Sequence, residues 1–166
     1  MYKRTVYIGL GSNVGDRVRN MNAALQALSK SLDTPLACSS LYRTDPVEVI
    51  DQEEFLNQVA GFSTDRTPEE ILGLCLAIEK EMGRVRTRHK GPRVIDLDLL
   101  LAGSDIRGGG GIEVPHPRMH LRRFVLVPLV EIAPAAWHPV LRKTAAEMLQ
   151  TCPDRSRVER LDASAW

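Results

Sequence analysis

The sequence has few cysteines, few aromatic residues and no long hydrophobic run. Its three cysteines lie far apart and lack the C-x-x-C spacing of zinc and redox sites, so we expect reduced thiols in a cytoplasmic protein. No stretch approaches the roughly 18 consecutive apolar residues of a membrane-spanning helix, so no membrane span is expected. The first residues also lack the apolar region of a cleaved signal peptide, and we expect none.

The sequence also has almost no net charge, with 22 Lys and Arg against 21 Asp and Glu and a formal charge of +1. A protein whose main partner is nucleic acid or a phospholipid surface usually carries a large cationic surplus. The balance therefore argues against both partners, and any affinity for phosphate must come from a local arrangement. The 166 residues, 43% of them hydrophobic, predict one globular domain over 1–166, and we expect it to be a monomer.

Hydrophobic periodicity predicts alternating strands and helices. Strands are predicted over 5–10, 36–44, 55–64 and 94–101, and helices over 16–30 and 68–82. The second helix has a start signal in Thr67, Pro68 and Glu70, which supply an N-cap, a first-turn proline and a capping box. The order β-α-β-β-α-β indicates an α+β fold of the ferredoxin-like type, in which two helices cover one face of an antiparallel sheet.

A C-terminal extension follows this predicted core. We expect an extended piece near 112–115 and an apolar segment over 122–132 that Pro128 bends or ends. A short last helix is expected after Thr144, which forms a capping box with Glu147.

Two acids stand out in the predicted strand at 94–101. Asp96 and Asp98 are two residues apart, so both side chains point to one face, about 6.6 Å apart along the strand. Carboxylates this close repel each other unless a cation lies between them. Because Mg²⁺ prefers a few carboxylate oxygens together with substrate phosphates, the pair predicts a magnesium site. The alternative is an edge strand with two solvated surface acids.

A run of cations precedes these acids, and no acid occurs between Met82 and Ile95. The cations are Arg84, Arg86, Arg88, Lys90 and Arg93. One guanidinium group can donate two parallel hydrogen bonds to a phosphate, and it stays charged at all relevant pH values. The run therefore indicates a clamp for a polyphosphate. A solvated basic loop or a nucleic-acid contact is the alternative. Cations followed at once by paired acids indicate a nucleotide and metal site, as phosphoryl transfer requires.

Two further segments carry polar residues. His116 and His120 are four residues apart, but the prolines beside His116 argue against a helical zinc pair. The neighbouring arginines instead indicate phosphate contacts, with His116 as a hydrogen-bond donor. The glycine-rich segment at 9–16 matches neither the dinucleotide fingerprint nor the P-loop. We expect a tight strand-to-helix turn there, with Asn13 free to contact a ligand.

The ordered motifs resemble those of the 6-hydroxymethyl-7,8-dihydropterin pyrophosphokinases, which transfer diphosphate from ATP to a pterin in folate biosynthesis. The matching motifs are YIGLGSNVGDR from Tyr7, SSLYRT from Ser39, FLNQV from Phe55, GRVR from Gly83, GPRVIDLDLLL from Gly91 and VPHPRMHLR from Val114. They cover nearly the whole chain, and the fold of the family is ferredoxin-like.

The resemblance implies roles for individual residues. Asp96 and Asp98 would hold two Mg²⁺ ions that bridge the ATP phosphates, while Arg84 and Arg93 would steady the transferred group. Further nucleotide contacts would come from Glu79, Arg86, Ile95, His116 and Arg122. The pterin pocket would consist of Thr44, Asp45, Pro46, Val47, Phe55, Asn57, Asp96 and Phe124, with the two phenylalanine rings on either side of the pterin. The hydroxymethyl oxygen would then attack the β-phosphorus in line, and AMP would leave.

An RNA-binding module is the strongest alternative, because RNA-recognition domains share the β-α-β-β-α-β order and carry aromatic residues on their sheet. However, the predicted strand at 55–64 lacks the K/R-G-F/Y-G/A-F pattern, and the net charge is only +1. A small-molecule regulatory domain of ferredoxin type is a third possibility, but it would need no paired acids. The sequence therefore favours the pyrophosphokinase.

Overall fold

The computed structural model describes residues 2–45, 53–83 and 93–162. The strands are β1 (Arg4–Ser12), β2 (Ala37–Cys38), β3 (Tyr42–Thr44), β4 (Phe55–Thr64), β5 (Asp96–Ala102), β6 (Trp137–His138), β7 (Lys143–Thr144) and β8 (Val158–Arg160). The helices are α1 (Arg17–Leu32), α2 (Pro68–Glu81), α3 (Arg123–Ile132) and α4 (Ala145–Gln150), with a 3₁₀ turn at Met119–Leu121. Across these ranges, each helix is too short or too polar to cross a membrane.

The main sheet is antiparallel, in the order β5-β1-β4-β3-β8, and β2 also pairs with β4. On one face, α1 and α2 pack on a core that includes the fully buried Val6, Ile8 and Phe62. On the other face, α3 and α4 pack on a second core that includes Val59 and Leu126. The predicted α+β antiparallel class is confirmed, and the C-terminal extension provides the helices of the second face.

A β-bulge shapes the outer strand β5. Tyr7 of β1 pairs with Leu101, but the next residue, Ile8, pairs with Leu99, so Leu100 is an extra residue. Leu100 and Leu101 consequently both join the second core. The carbonyl of Leu100 accepts a hydrogen bond of 2.9 Å from the backbone N–H of His116. The bulge thereby fastens the segment around His116 to the edge of the sheet.

Several element boundaries differ from the predicted ones. β1 continues through two glycines to Ser12 instead of ending at Leu10. The single strand predicted over 36–44 is divided into β2 and β3, because the backbone N–H of Ser40 is taken by a side-chain carboxylate of α3. Pro128 was expected to bend or end its segment; it does not end it, because α3 continues past Pro128 to Ile132. The capping box predicted for α2 forms between Thr67 and Glu70, and α4 has the predicted N-cap at Thr144, whose hydroxyl accepts the backbone N–H of Glu147.

Candidate active site

The acids of β5 share a sheet face with residues predicted to bind the pterin. Asp96 and Asp98, hereafter the acid pair, alternate along β5 with two buried leucines of the first core, so both carboxylates point to the opposite face. Gly11 of β1 lies directly opposite Asp96 on one side and opposite Asn57 of β4 on the other. Residues opposed in antiparallel strands point to the same face. The strand register therefore brings Asn57 to the face that carries the acid pair.

Arg93 is held beside the acid pair by two sets of contacts. Its Nη1 lies 2.8 Å from Oδ2 of Asp96 in an ion pair. Its backbone N–H donates to Oδ1 of Asn13 at 2.7 Å, and its carbonyl accepts from the Asn13 backbone N–H at 3.0 Å. Nδ2 of Asn13 also donates to the carbonyl of Glu53 at 3.4 Å. The expectation that Asn13 is free to contact a ligand is therefore wrong, because this buried side chain positions Arg93.

The acid pair has the electrostatics of a cation site. Burial, together with the charge of Asp96, raises the pKa of Asp98 to about 7. A nearby cation would offset both effects. Within the described ranges, no group of three or more His, Cys, Asp or Glu side chains converges as a metal site. Two carboxylates that leave other positions to water and phosphate fit Mg²⁺, which is usually bound in this way.

Glu79 and Ile95 support β5 from the side of the first core. Glu79 of α2 is 3% exposed, and its Oε1 accepts the backbone N–H of Leu97 at 2.8 Å. Its charge also contributes to the raised pKa of Asp98. Ile95 is fully buried in the first core, so any contact of this residue with a nucleotide would have to come from its backbone. For both residues, a direct nucleotide contact stays a prediction.

His116 is neutral, and its tautomer follows from its contacts. The backbone N–H of Arg118 donates to Nδ1 of His116 at 3.2 Å, so the neutral ring carries its proton on Nε2. Burial, together with the charges of Arg122 and Arg118, lowers the pKa of His116 to about 4, and Asp96 opposes this effect. Nε2–H is thus available as a hydrogen-bond donor at neutral pH, and its contact with a phosphate stays a prediction.

We expect His116 to titrate near pH 4, below the ordinary histidine value of 6.5. Between these values the unfolded chain binds a proton that the folded ring does not, so this group lowers stability as the pH falls through that window. An NMR titration of the ring resonances, assigned by comparison with His116→Gln, measures the midpoint directly. A midpoint near 6.5 would contradict this account of the ring's environment.

Arg122 and Phe124 lie together at the start of α3. The guanidinium carbon of Arg122 lies 5.6 Å from the centre of the Phe124 ring, in a cation–π contact. Burial and the neighbouring Arg118 lower the pKa of Arg122, whereas the acid pair raises it. Asp154 fixes this end of the helix, because its Oδ2 accepts the backbone N–H of Arg123 at 2.9 Å. The helix start thus presents a cation and an aromatic ring near the acid pair.

The predicted pterin residues of β3 and β4 form a connected group. Nδ2 of Asn57 donates to Oγ1 of Thr44 at 2.6 Å, and both residues are buried. Phe55 is the register partner of Thr44 and lies at the beginning of β4. The Asp45 side chain, by contrast, accepts from Arg157 at 3.0 Å on the surface. A role of Asp45 in the pocket would therefore have to come from its backbone.

Several predicted site residues lie outside the described ranges. They are Pro46, Val47, Arg84 and Arg86, and Arg88 and Lys90 of the basic run lie there as well. Their roles stay predictions.

A carboxylate network that the sequence analysis did not identify joins α3 to β3. Glu131 accepts hydrogen bonds from the Tyr42 hydroxyl at 2.6 Å and from the Ser40 hydroxyl at 2.8 Å. Burial raises the pKa of Tyr42 to about 12, and its bond to Glu131 contributes. The network fixes the helix that carries Phe124 relative to the strand that carries Thr44. The single acid in the otherwise apolar stretch at 124–132 was the available signal.

This site has the parts of an enzyme that transfers phosphate groups from a nucleotide: paired acids, arginines and a neutral donor on one sheet face. The comparisons with known proteins specify the class. The family model described as 7,8-dihydro-6-hydroxymethylpterin-pyrophosphokinase (HPPK) matches residues 7–134, and the chain belongs to this family.

Curated relatives agree with this assignment. The 2-amino-4-hydroxy-6-hydroxymethyldihydropteridine pyrophosphokinase of Haemophilus influenzae is 44% identical over 130 residues, which cover 78% of this chain and 81% of the relative. The protein of the same name from Pseudomonas aeruginosa is 41% identical over 157 residues, with coverages of 94% and 96%. The family and the enzyme class predicted from the motifs are confirmed.

The solved structures agree on the fold. Wild-type HPPK-DHPS of Plasmodium falciparum with STZ-DHP matches at a TM-score of 0.69 and 16% sequence identity. The match covers 90% of this chain and 41% of that longer chain. At this identity the likeness shows a shared fold, and it agrees with the antiparallel sheet and helices described above.

Proposed function

We propose that this chain transfers diphosphate from ATP to the hydroxymethyl group of 6-hydroxymethyl-7,8-dihydropterin, giving AMP and the pterin diphosphate. The observation that carries the proposal is the register across β1, in which Gly11 separates Asp96 from Asn57 on one sheet face. Asp98 and Arg93 lie on the Asp96 side of Gly11, and Thr44 and Phe55 lie on the Asn57 side. One face can therefore hold both substrates next to each other.

The nucleotide half of the proposal is supported by charge. We propose that Asp96 and Asp98 hold two Mg²⁺ ions together with the ATP phosphates. Bound magnesium would withdraw charge from the phosphate oxygens and so favour displacement at phosphorus. Arg93, ion-paired with Asp96 at 2.8 Å, is close enough to contact a phosphate bound at the acid pair. The Nε2–H of His116 and the guanidinium of Arg122 supply a neutral and a charged donor near the same acids.

The pterin half is supported by hydrogen bonding and shape. Thr44 fixes the amide of Asn57, which can then bind the polar edge of the pterin ring. Phe55 and Phe124 provide aromatic faces on β4 and at the start of α3, between which a flat ring can stack. The hydroxymethyl oxygen forms a bond to the β-phosphorus and gives up its proton to solvent. The bond between that phosphorus and the α,β-bridging oxygen breaks, and AMP leaves with this oxygen. The residues contribute mainly positioning and charge stabilisation.

An RNA-binding module is less compatible with the second face of the sheet. RNA-recognition domains stack bases on an open sheet surface. Here α3 packs against β4 on the face that carries Asn57 and Phe55, and a hydrophobic core fills part of that surface. We accordingly propose small-molecule substrates and no nucleic acid. We also propose a cytoplasmic monomer with one domain over 1–166, for which the three free cysteines are supporting evidence of a reducing compartment.

A chelation assay tests the proposed function and its metal requirement together. We expect AMP to form only when ATP, the reduced pterin alcohol and Mg²⁺ are all present, and EDTA to stop the reaction until Mg²⁺ is restored. The matched control replaces the alcohol with 6-methyl-7,8-dihydropterin, which lacks the attacking oxygen. AMP formation with the 6-methyl compound, or undiminished turnover in EDTA, would refute the proposal.

A further inference from the structure

Gly11 lies where the two halves of the proposed site meet. A Cβ built on Gly11 would lie 2.9 Å from Oδ1 of Asn57 and 3.8 Å from Cδ1 of Phe55. The first distance is much shorter than a favourable van der Waals contact, for which non-bonded heavy atoms are about 3.5 Å apart or more. The Asn57 amide therefore occupies the space that any side chain at position 11 would need.

The Asn57 amide cannot move away without a loss. Its Nδ2 donates to Oγ1 of Thr44 at 2.6 Å, and Asn57 and Thr44 are 7% and 3% exposed. This bond leaves Oδ1 as the end of the amide that lies over Gly11. A methyl group at position 11 would turn or lift the amide and break its bond to Thr44.

We propose that Gly11 is a positioning residue for acceptor recognition, whose missing side chain keeps the Asn57 amide in the orientation that binds the pterin. The inference rests on the proposed function. The strand conformation itself does not require glycine here, because Gly11 is not among the glycines with a positive φ angle. The atom in the way is the end of a side chain and not backbone, so substitution should change pterin affinity far more than folding.

Gly9 offers a matched control on the same strand. It lies two residues before Gly11, so it points to the same sheet face, and its φ angle is not positive either. The three atoms nearest to a Cβ at this position belong to the Leu100 side chain, at 3.7 to 3.8 Å, an ordinary van der Waals distance. Gly9→Ala thus adds the same methyl group without moving a polar group.

The test measures the equilibrium affinity of each variant for the reduced pterin alcohol and, separately, for a non-hydrolysable ATP analogue with Mg²⁺. For Gly11→Ala we expect pterin binding at least about tenfold weaker, since one well-placed hydrogen bond is worth about a factor of ten. Affinity for the nucleotide should stay within about twofold, and Gly9→Ala should stay within about twofold for both ligands. Wild-type pterin affinity in folded Gly11→Ala would overturn the inference.

A double-mutant cycle with Asn57→Ala separates this effect from a general weakening of the sheet. If the amide is the group displaced, Gly11→Ala should cost little additional pterin affinity once Asn57 is alanine. Equal losses in both backgrounds would overturn the inference. If Gly11→Ala does not fold, the inference requires that the double variant with Asn57→Ala folds. A double variant that also fails to fold would overturn the inference. A wild-type protein that binds no pterin would instead refute the proposed function. The unfolding temperatures of the same four proteins would then still test the contact between position 11 and the Asn57 amide.

Discussion

Asp98→Ala is expected to lower kcat by about a thousandfold or more while the protein remains folded. Asp98 projects from β5 beside Asp96, and burial already raises its pKa to about 7, so the protein alone does not stabilise its charge well. Removal of the carboxylate relieves repulsion within the acid pair, and the unfolding temperature should therefore stay the same or rise. Steady-state kinetics at saturating substrates and thermal unfolding measure the two quantities.

Asp105→Ala is the matched control for Asp98→Ala. Asp105 follows the C-terminal end of β5, whereas the acid pair lies at the N-terminal end of this strand. Its Oδ2 lies 3.2 Å from Nε of Arg4 in an ion pair. Its loss removes a carboxylate of the same size away from the proposed site, and kcat should stay within about twofold. Full activity in Asp98→Ala would show that the acid pair is not the metal site.

Arg93→Ala is expected to lower kcat by about a hundredfold. This is the usual effect of removing one hydrogen-bond donor that stabilises the charge developing in the transition state. The backbone of Arg93 is fixed by Asn13, and its guanidinium pairs with Asp96 at 2.8 Å, so the side chain is held next to the proposed phosphate position. Arg93→Lys should recover about tenfold of the loss, because lysine keeps the charge but not the forked geometry. Rapid-quench single turnovers measure the chemical step directly.

Arg107→Ala is the control for a general effect of charge. Arg107 pairs with Glu69 at 2.9 Å on the surface, outside the proposed site. We expect wild-type turnover from this variant. If the single-turnover rate of Arg93→Ala equalled that of Arg107→Ala, Arg93 would not contact the transferred group.

The sequence predicted those parts of the site that depend on neighbouring residues. Two acids separated by one residue must share a strand face, and the buried alternation along β5 confirms this for Asp96 and Asp98. Likewise, Thr67 and Glu70 form the predicted capping box, because the bonds of a helix start are local. These features need only chain geometry over a few residues.

The parts that were missed depend on contacts between distant segments. Asn13 was expected to be free, but its partner is the backbone of Arg93, 80 residues further along the chain. The carboxylate of Glu131 similarly binds Tyr42, 89 residues away. The position of Asn57 opposite Gly11 follows from the register of β1 with β4, which no local pattern specifies.

Identification of the products tests the central claim most directly. The protein is incubated with ATP, Mg²⁺ and 6-hydroxymethyl-7,8-dihydropterin, and the phosphorus-containing products are followed by ³¹P NMR. The account predicts AMP and the pterin diphosphate in equal amounts, because the hydroxymethyl oxygen attacks the β-phosphorus. Formation of ADP with a pterin monophosphate, or no pterin product at all, would contradict it.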